Sequence, residues 1–184
     1  MHKTDKNWTL FLDRDGVINE QIIGGYVLHF GQFKFNSGVI EALQQLRQLF
    51  GRIIIVTNQQ CIGKGMCTQD AVNEVHRQMC AVLKQNNITV DGIYFCPHRA
   101  DEGCRCRKPN TDLARQARKD FPDIDFKRSM MVGDAPSDMQ FGRNCNMTTV
   151  FLTKGKTDIA ELPEGIADFI YSDLSDFAQH IKHG

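Results

Sequence analysis

The chain has 184 residues, 41% of them hydrophobic and 24% charged, with 22 basic residues against 22 acidic ones. Such a length suits one domain spanning residues 1–184, able to bury roughly 70% of the surface that its unfolded chain exposes. Balanced charge provides no field for nucleic acid or an anionic membrane, and no window approaches the roughly 20 apolar residues that span a bilayer, so a cytoplasmic monomer without nucleic-acid or membrane partners is expected.

In chain order, Trp8, Leu10, Phe11 and Leu12 predict a buried first strand that runs into Asp13, Asp15 and Gly16. Val39, Ile40, Leu43, Leu46 and Leu49 or Phe50 then recur at helical spacing and stop at Gly51. The β-branched run RIIIVTN, residues 52–58, reads as a strand buried on both faces of a parallel sheet. A second helix is expected after Thr68, with Val72, Val75, Met79, Val82 and Leu83 on one face. Strand GIYF (92–95), a cysteine-rich loop, a helix opened by Thr111 and strand SMMVGD (129–134) follow. A short helix, TTVFL (148–152), DFIYS (168–172) and a final helix complete the chain. Alternating strands and helices predict a doubly wound, mostly parallel α/β sheet of Rossmann type, whose ligands bind beyond the carboxyl ends of the strands. Asp13, Asp15, Thr57, Asn58, Asp134 and Asp138 all fall at such ends.

Two carboxylates about 4 Å apart repel by about 4 kcal/mol at an effective dielectric of 20, so Asp13 and Asp15 call for a cation or a shared proton. Magnesium fits, since it prefers oxygen ligands and keeps waters that a phosphate can replace, and Asp134 is available as a further ligand. A calcium loop is excluded, because Val17, Ile18 and Gly24 occupy its required oxygen-donor, Gly and Glu positions. IGKG (62–65) lacks the spacing of a P-loop.

Seven cysteines form an odd set, and three of them crowd with a histidine into CPHRADEGCRC. Cys96, His98, Cys104 and Cys106 have the ligand types of a closed tetrahedral zinc site, which leaves no position for water and so reads as structural. The other cysteines, 61, 67, 80 and 145, read as core or incidental thiols.

FLDRDGVIN, IIIVTNQ, CRKP and MVGDAPSDM resemble, in order, the four motifs of the haloacid-dehalogenase-like (HAD-like) phosphatases, over nearly the whole chain. The resemblance implies that Asp13 is the nucleophile of an aspartyl-phosphate intermediate and that Asp15 is the acid and base. By the same resemblance Thr57 and Lys108 hold the phosphoryl oxygens, and Mg2+ is held by Asp13, the backbone carbonyl of Asp15 and Asp134, with the part of Asp138 left open. A Zn2+ loop running directly into CRKP resembles the branch that acts on heptose bisphosphates and histidinol phosphate, whose members lack a large cap domain. Substrate contacts implied there are Asp13, Asp15, Gly25, Tyr26, Thr57, Asn58, Gln59, Gln60, Arg107 and Lys108. GGYVLHFGQFKF is similar to the heptose enzymes, implying removal of the 7-phosphate of D-glycero-D-manno-heptose 1,7-bisphosphate on the way to a nucleotide-heptose for lipopolysaccharide or another surface glycan. Ala135 departs from that branch, where a lysine often follows the magnesium aspartate, and so does Gln60-Cys61. Histidinol phosphate is the alternative substrate, and a phosphate-ligand binding protein without catalysis is the alternative of another class.

Overall fold

The computed structural model describes residues 4–155 and 162–182. Six strands form one sheet: β1 (Thr9–Leu12), β2 (Arg52–Asn58), β3 (Gly92–Cys96), β4 (Ser129–Gly133), β5 (Thr148–Leu152) and β6 (Phe169–Tyr171). Their order is β3-β2-β1-β4-β5-β6, and every neighbouring pair is parallel. The sheet is thus wholly parallel among the described residues, where the sequence predicted a mostly parallel one. Five helices connect or follow these strands: α1 (Val39–Leu49), α2 (Gln69–Gln85), α3 (Asp112–Asp120), α4 (Pro136–Asn144) and α5 (Leu174–Lys182).

Alternation along each strand splits the core into two layers. Leu10 and Leu12 of β1 join Ile53, Ile55, Met130 and Val132 on one face, beneath Leu43 and Leu46 of α1, Val75, Met79 and Leu83 of α2, and Phe177 of α5. Phe11 points the other way, with Ile54, Val56 and Met131, against Leu113, Ala114 and Ala117 of α3 and Phe141 of α4. Both faces are covered, which is why the strands read as continuous apolar runs. Each buried Leu, Ile or Phe contributes about 1.5–3 kcal/mol. On α2 the inward face differs from the sequence expectation in one respect: His76 is buried and Val82 is only half-buried.

The central position of β1 sets up the site. Leu12 lies level with Ile55 of β2 and Val132 of β4. The residues just beyond, Asp13, Thr57 and Asp134, therefore emerge together at one edge. Asp13 N extends the ladder by one further bond to Val132 O, at 3.0 Å.

Candidate active site

A polar cavity of about 320 Å³ opens at the carboxyl ends of β1, β2 and β4. At its floor the Lys108 Nζ is enclosed, donating to Asp13 Oδ1 at 2.9 Å, to Asp138 Oδ1 at 2.6 Å and to Val56 O at 2.9 Å. Burial opposes the lysine's charge, but the two carboxylates outweigh it and hold Lys108 above its ordinary range. Asp13 is pushed up to about 6, first by burial and then by Asp138 and Asp15, with Lys108 pulling the other way. Asp138, in the first turn of α4, also accepts from Asp134 N at 3.2 Å and Ala135 N at 3.1 Å, so it caps its own helix while it grips the lysine.

One oxygen each from Asp13, Asp134 and Asp138 lies within 4.8 Å of the others. Burial and the charge of Asp13 raise Asp134, against the pull of Lys154, whose Nζ contacts Asp134 Oδ2 and Gln21 Oε1. Three carboxylates thus face two ammonium groups, Lys108 and Lys154. The unmatched negative charge, with oxygen donors converging beside a pocket, fits a hard divalent cation. Both oxygens of Asp138 already accept hydrogen bonds, from Lys108 on one side and from Asp134 N and Ala135 N on the other, whereas among the described residues Asp13 and Asp134 each keep one oxygen without a protein donor. Gly16, at φ 93°, lets the chain pass against Asp134 and Lys154, where a β-carbon would collide.

Asp15 departs from the expectation that the two neighbouring acids face one another across a cation. Its carboxylate turns to Arg14, accepting from Nη2 at 2.7 and 2.8 Å and from Nε at 3.3 Å. Asn19 Nδ2 and Gln59 Nε2 add bonds at 3.0 and 2.7 Å. Burial works against the charge, but Arg14 and these bonds hold Asp15 below the usual aspartate range. A guanidinium, which the sequence reading passed over, is the cation that answers Asp15.

Gly25, Tyr26, Thr57, Asn58, Gln60, Arg107, Lys108, Asp13 and Asp15 all line the cavity, as expected from sequence. Gln59 does not. It is 1% exposed and sits behind the wall, its amide bonded to Asp15 Oδ2 at 2.7 Å and to Thr57 Oγ1 at 2.9 Å. Arg107 Nη1 is buried with no hydrogen-bond partner, a cation awaiting an acceptor at the cavity wall. Ser137 and Ala135 complete the wall at the start of α4, and Ala135 offers no charge of its own.

Beside the cavity the cysteine loop closes on itself. Cys96 Sγ stands 3.4 Å from Cys104 Sγ and 2.7 Å from Cys106 Sγ, and His98 Nδ1 stands 3.1 Å from Cys106 Sγ. All four donor atoms lie within 4.8 Å of one another, close enough to be held by a single metal ion. The loop also braces the segment after β2, through Gly63 N to Pro97 O at 2.9 Å.

Fold and site together define a doubly wound α/β phosphohydrolase. A family profile described as "HAD-hyrolase-like" matches residues 105–177. The D-glycero-alpha-D-manno-heptose-1,7-bisphosphate 7-phosphatase of Mycobacterium bovis is 35% identical over 176 residues, covering 96% of this chain and 92% of that one. The D-glycero-beta-D-manno-heptose-1,7-bisphosphate 7-phosphatase of Escherichia coli K12 is 36% identical over 180 residues, 94% of this chain and 93% of that one. A crystal structure of the D,D-heptose 1,7-bisphosphate phosphatase of B. bronchiseptica, complexed with magnesium and phosphate, superposes with a TM-score of 0.85 at 28% identity, covering 96% and 98% of the two chains. The chain belongs to the HAD-like phosphatases, in the family of these heptose bisphosphate phosphatases.

Proposed function

We propose that this protein removes the 7-phosphate of a D-glycero-D-manno-heptose 1,7-bisphosphate, yielding the heptose 1-phosphate and inorganic phosphate. The observation that carries the chemistry is the junction of Asp13, Thr57 and Lys108 at adjoining strand ends, beside an Arg107 guanidinium with an unpaired buried donor. The relatives and the superposed crystal structure support the sugar, and they favour it over histidinol phosphate.

Asp13 is the nucleophile in this reading. Its oxygen forms a bond to phosphorus as the bond from phosphorus to the sugar oxygen breaks, and that oxygen takes a proton from Asp15, which must first gain it against the pull of Arg14. Water then attacks the mixed anhydride, Asp15 takes the water's proton, and phosphate and free Asp13 are restored. Thr57 and Lys108 hold the transferring oxygens, and Lys108 keeps Asp13 aimed. Asp13 and Asp134, with the backbone carbonyl of Asp15, would hold Mg2+. That ion, when bound, offsets the repulsion between an anionic nucleophile and a phosphate dianion. Zn2+ on Cys96, His98, Cys104 and Cys106 would be structural. Every residue of the site comes from one chain, so a monomer suffices.

Phosphate release in magnesium buffer from both anomers of heptose 1,7-bisphosphate, fructose bisphosphate and histidinol phosphate tests the proposal. One heptose anomer is expected to give the highest kcat/KM, and Asp13→Asn to lose at least about a thousandfold. A higher value for histidinol phosphate, or equal release by the variant, overturns it.

A further inference from the structure

Among the described residues Arg14 is the largest fully buried side chain, at 0% exposure, and it is a cation. Its guanidinium is divided between two partners. Nε and Nη2 grip the Asp15 carboxylate, and Nη1 lies 3.0 Å from Nε2 of His76 on α2. Arginine only donates, so Nε2 of the imidazole must accept and His76 must be neutral with its proton on Nδ1. Burial and the nearby Arg14 charge enforce that state, holding His76 down to about 3. The ring is 5% exposed and set edge-on to Phe95 of β3, at 5.5 Å between centroids. A buried, rigid acceptor thus stops the guanidinium from the side opposite Asp15.

We propose that His76 is a positioning residue for the phosphatase reaction, fixing Arg14 so that the Asp15 carboxyl is presented at the angle from which it serves the leaving oxygen. This rests on the assignment of Asp15 as proton donor. Nothing in the cavity touches His76, so its effect must pass through Arg14.

General acid help matters most for a poor leaving group. An alkyl oxygen of a sugar phosphate needs the proton, whereas a p-nitrophenolate does not. Because kcat/KM reports only the steps through formation of the aspartyl phosphate, comparing the two esters isolates the donor's part. His76→Met removes the acceptor and keeps the bulk. It is expected to lower kcat/KM on the heptose bisphosphate at least about tenfold more than on p-nitrophenyl phosphate. His76→Gln returns an acceptor oxygen near the place of Nε2 and is expected to recover most of the loss, whereas the shorter His76→Asn is not. Should the Met variant fail to fold, the Gln and Asn variants decide by the same ratio. Equal losses on both esters, or no difference between Gln and Asn, overturn the proposal. Asp15→Asn is the control: if it shows no preference for the alkyl ester, the proton-donor assignment fails instead, independently of His76.

Discussion

Asp13 carries its charge in a place that penalises charge. Burial raises it to about 6 from an unfolded value near 3.8, so between about pH 4 and 6 the folded protein binds a proton that the unfolded chain has released. The residue's contribution to stability is therefore full below that window and falls as pH rises through it. In metal-free buffer, Asp13→Asn is expected to gain on the wild type by on the order of 1–3 kcal/mol between pH 4 and 6, read by urea denaturation at each pH. A difference that does not change with pH would contradict this account. Lys108 has the opposite standing. Removing it by Lys108→Met leaves Asp13 and Asp138 without their shared ammonium partner, and about 3–5 kcal/mol of stability should be lost at pH 7. At this scale the sequence was legible where a motif carried the chemistry: Asp13, Thr57, Lys108 and Asp134 stand together as the resemblance implied. It was illegible where a role depends on direction. Nothing in the string DRDG says that the arginine turns inward to meet the second aspartate, or that Gln59 of VTNQ faces into the protein. Both outcomes follow from contacts distant in sequence, Arg14 with His76 and Gln59 with Asp15, and local sequence holds no record of them.

Strands and helices were read with more success, because both faces of the sheet are covered and its central strands are buried nearly throughout. RIIIVTN and SMMVG are buried nearly end to end. On α2 the expected stripe was right in period, yet it admitted Val82 in place of His76, since a histidine at a core position looks polar until its partner is known. The junction between β4 and α4 is the element on which most of the site hangs. Gly133 ends the strand, and a β-carbon there would strike Asp138, the carboxylate that grips Lys108 and caps α4. Gly133→Ala should therefore lower kcat at least about tenfold by shifting Asp138 and, through it, Lys108. Circular dichroism should show the fold retained. The start of α2 offers a contrast remote from the chemistry. Thr68 Oγ1 accepts from Ala71 N at 3.1 Å, and Thr68→Ala should cost about 1 kcal/mol of stability with activity intact.

Across the whole molecule, the cysteine loop is joined to the cavity wall through the chain itself. Arg107 follows Cys106 directly, and Asn110 Nδ2 holds Cys104 O at 2.8 Å, so the loop places one cation of the cavity wall. Lys108, one residue later, is held instead by Asp13, Asp138 and Val56. Stripping metal from this loop, or Cys104→Ser, should therefore raise KM for the sugar phosphate more than it lowers kcat, and should lower Tm. Elemental analysis of protein purified without chelator is expected to show one zinc per chain lost in parallel. The four-ligand set was readable from spacing alone because its members are close in sequence. Lys154 was not, since it reaches Asp134 from the far end of β5.

The strand that leads into Asp13 precedes the other five in sequence, yet it lies inside the sheet, with one flank reserved for β4. A nascent chain that stops before Ser129 can pair β1 with β2 and β2 with β3 but has neither Asp134 nor Asp138, and its Lys108 has only one of its two acids. Catalytic competence therefore switches on late in synthesis, when the fourth strand docks beside the first, and shorter translation products should be inert toward phosphate esters even where their early strands have paired.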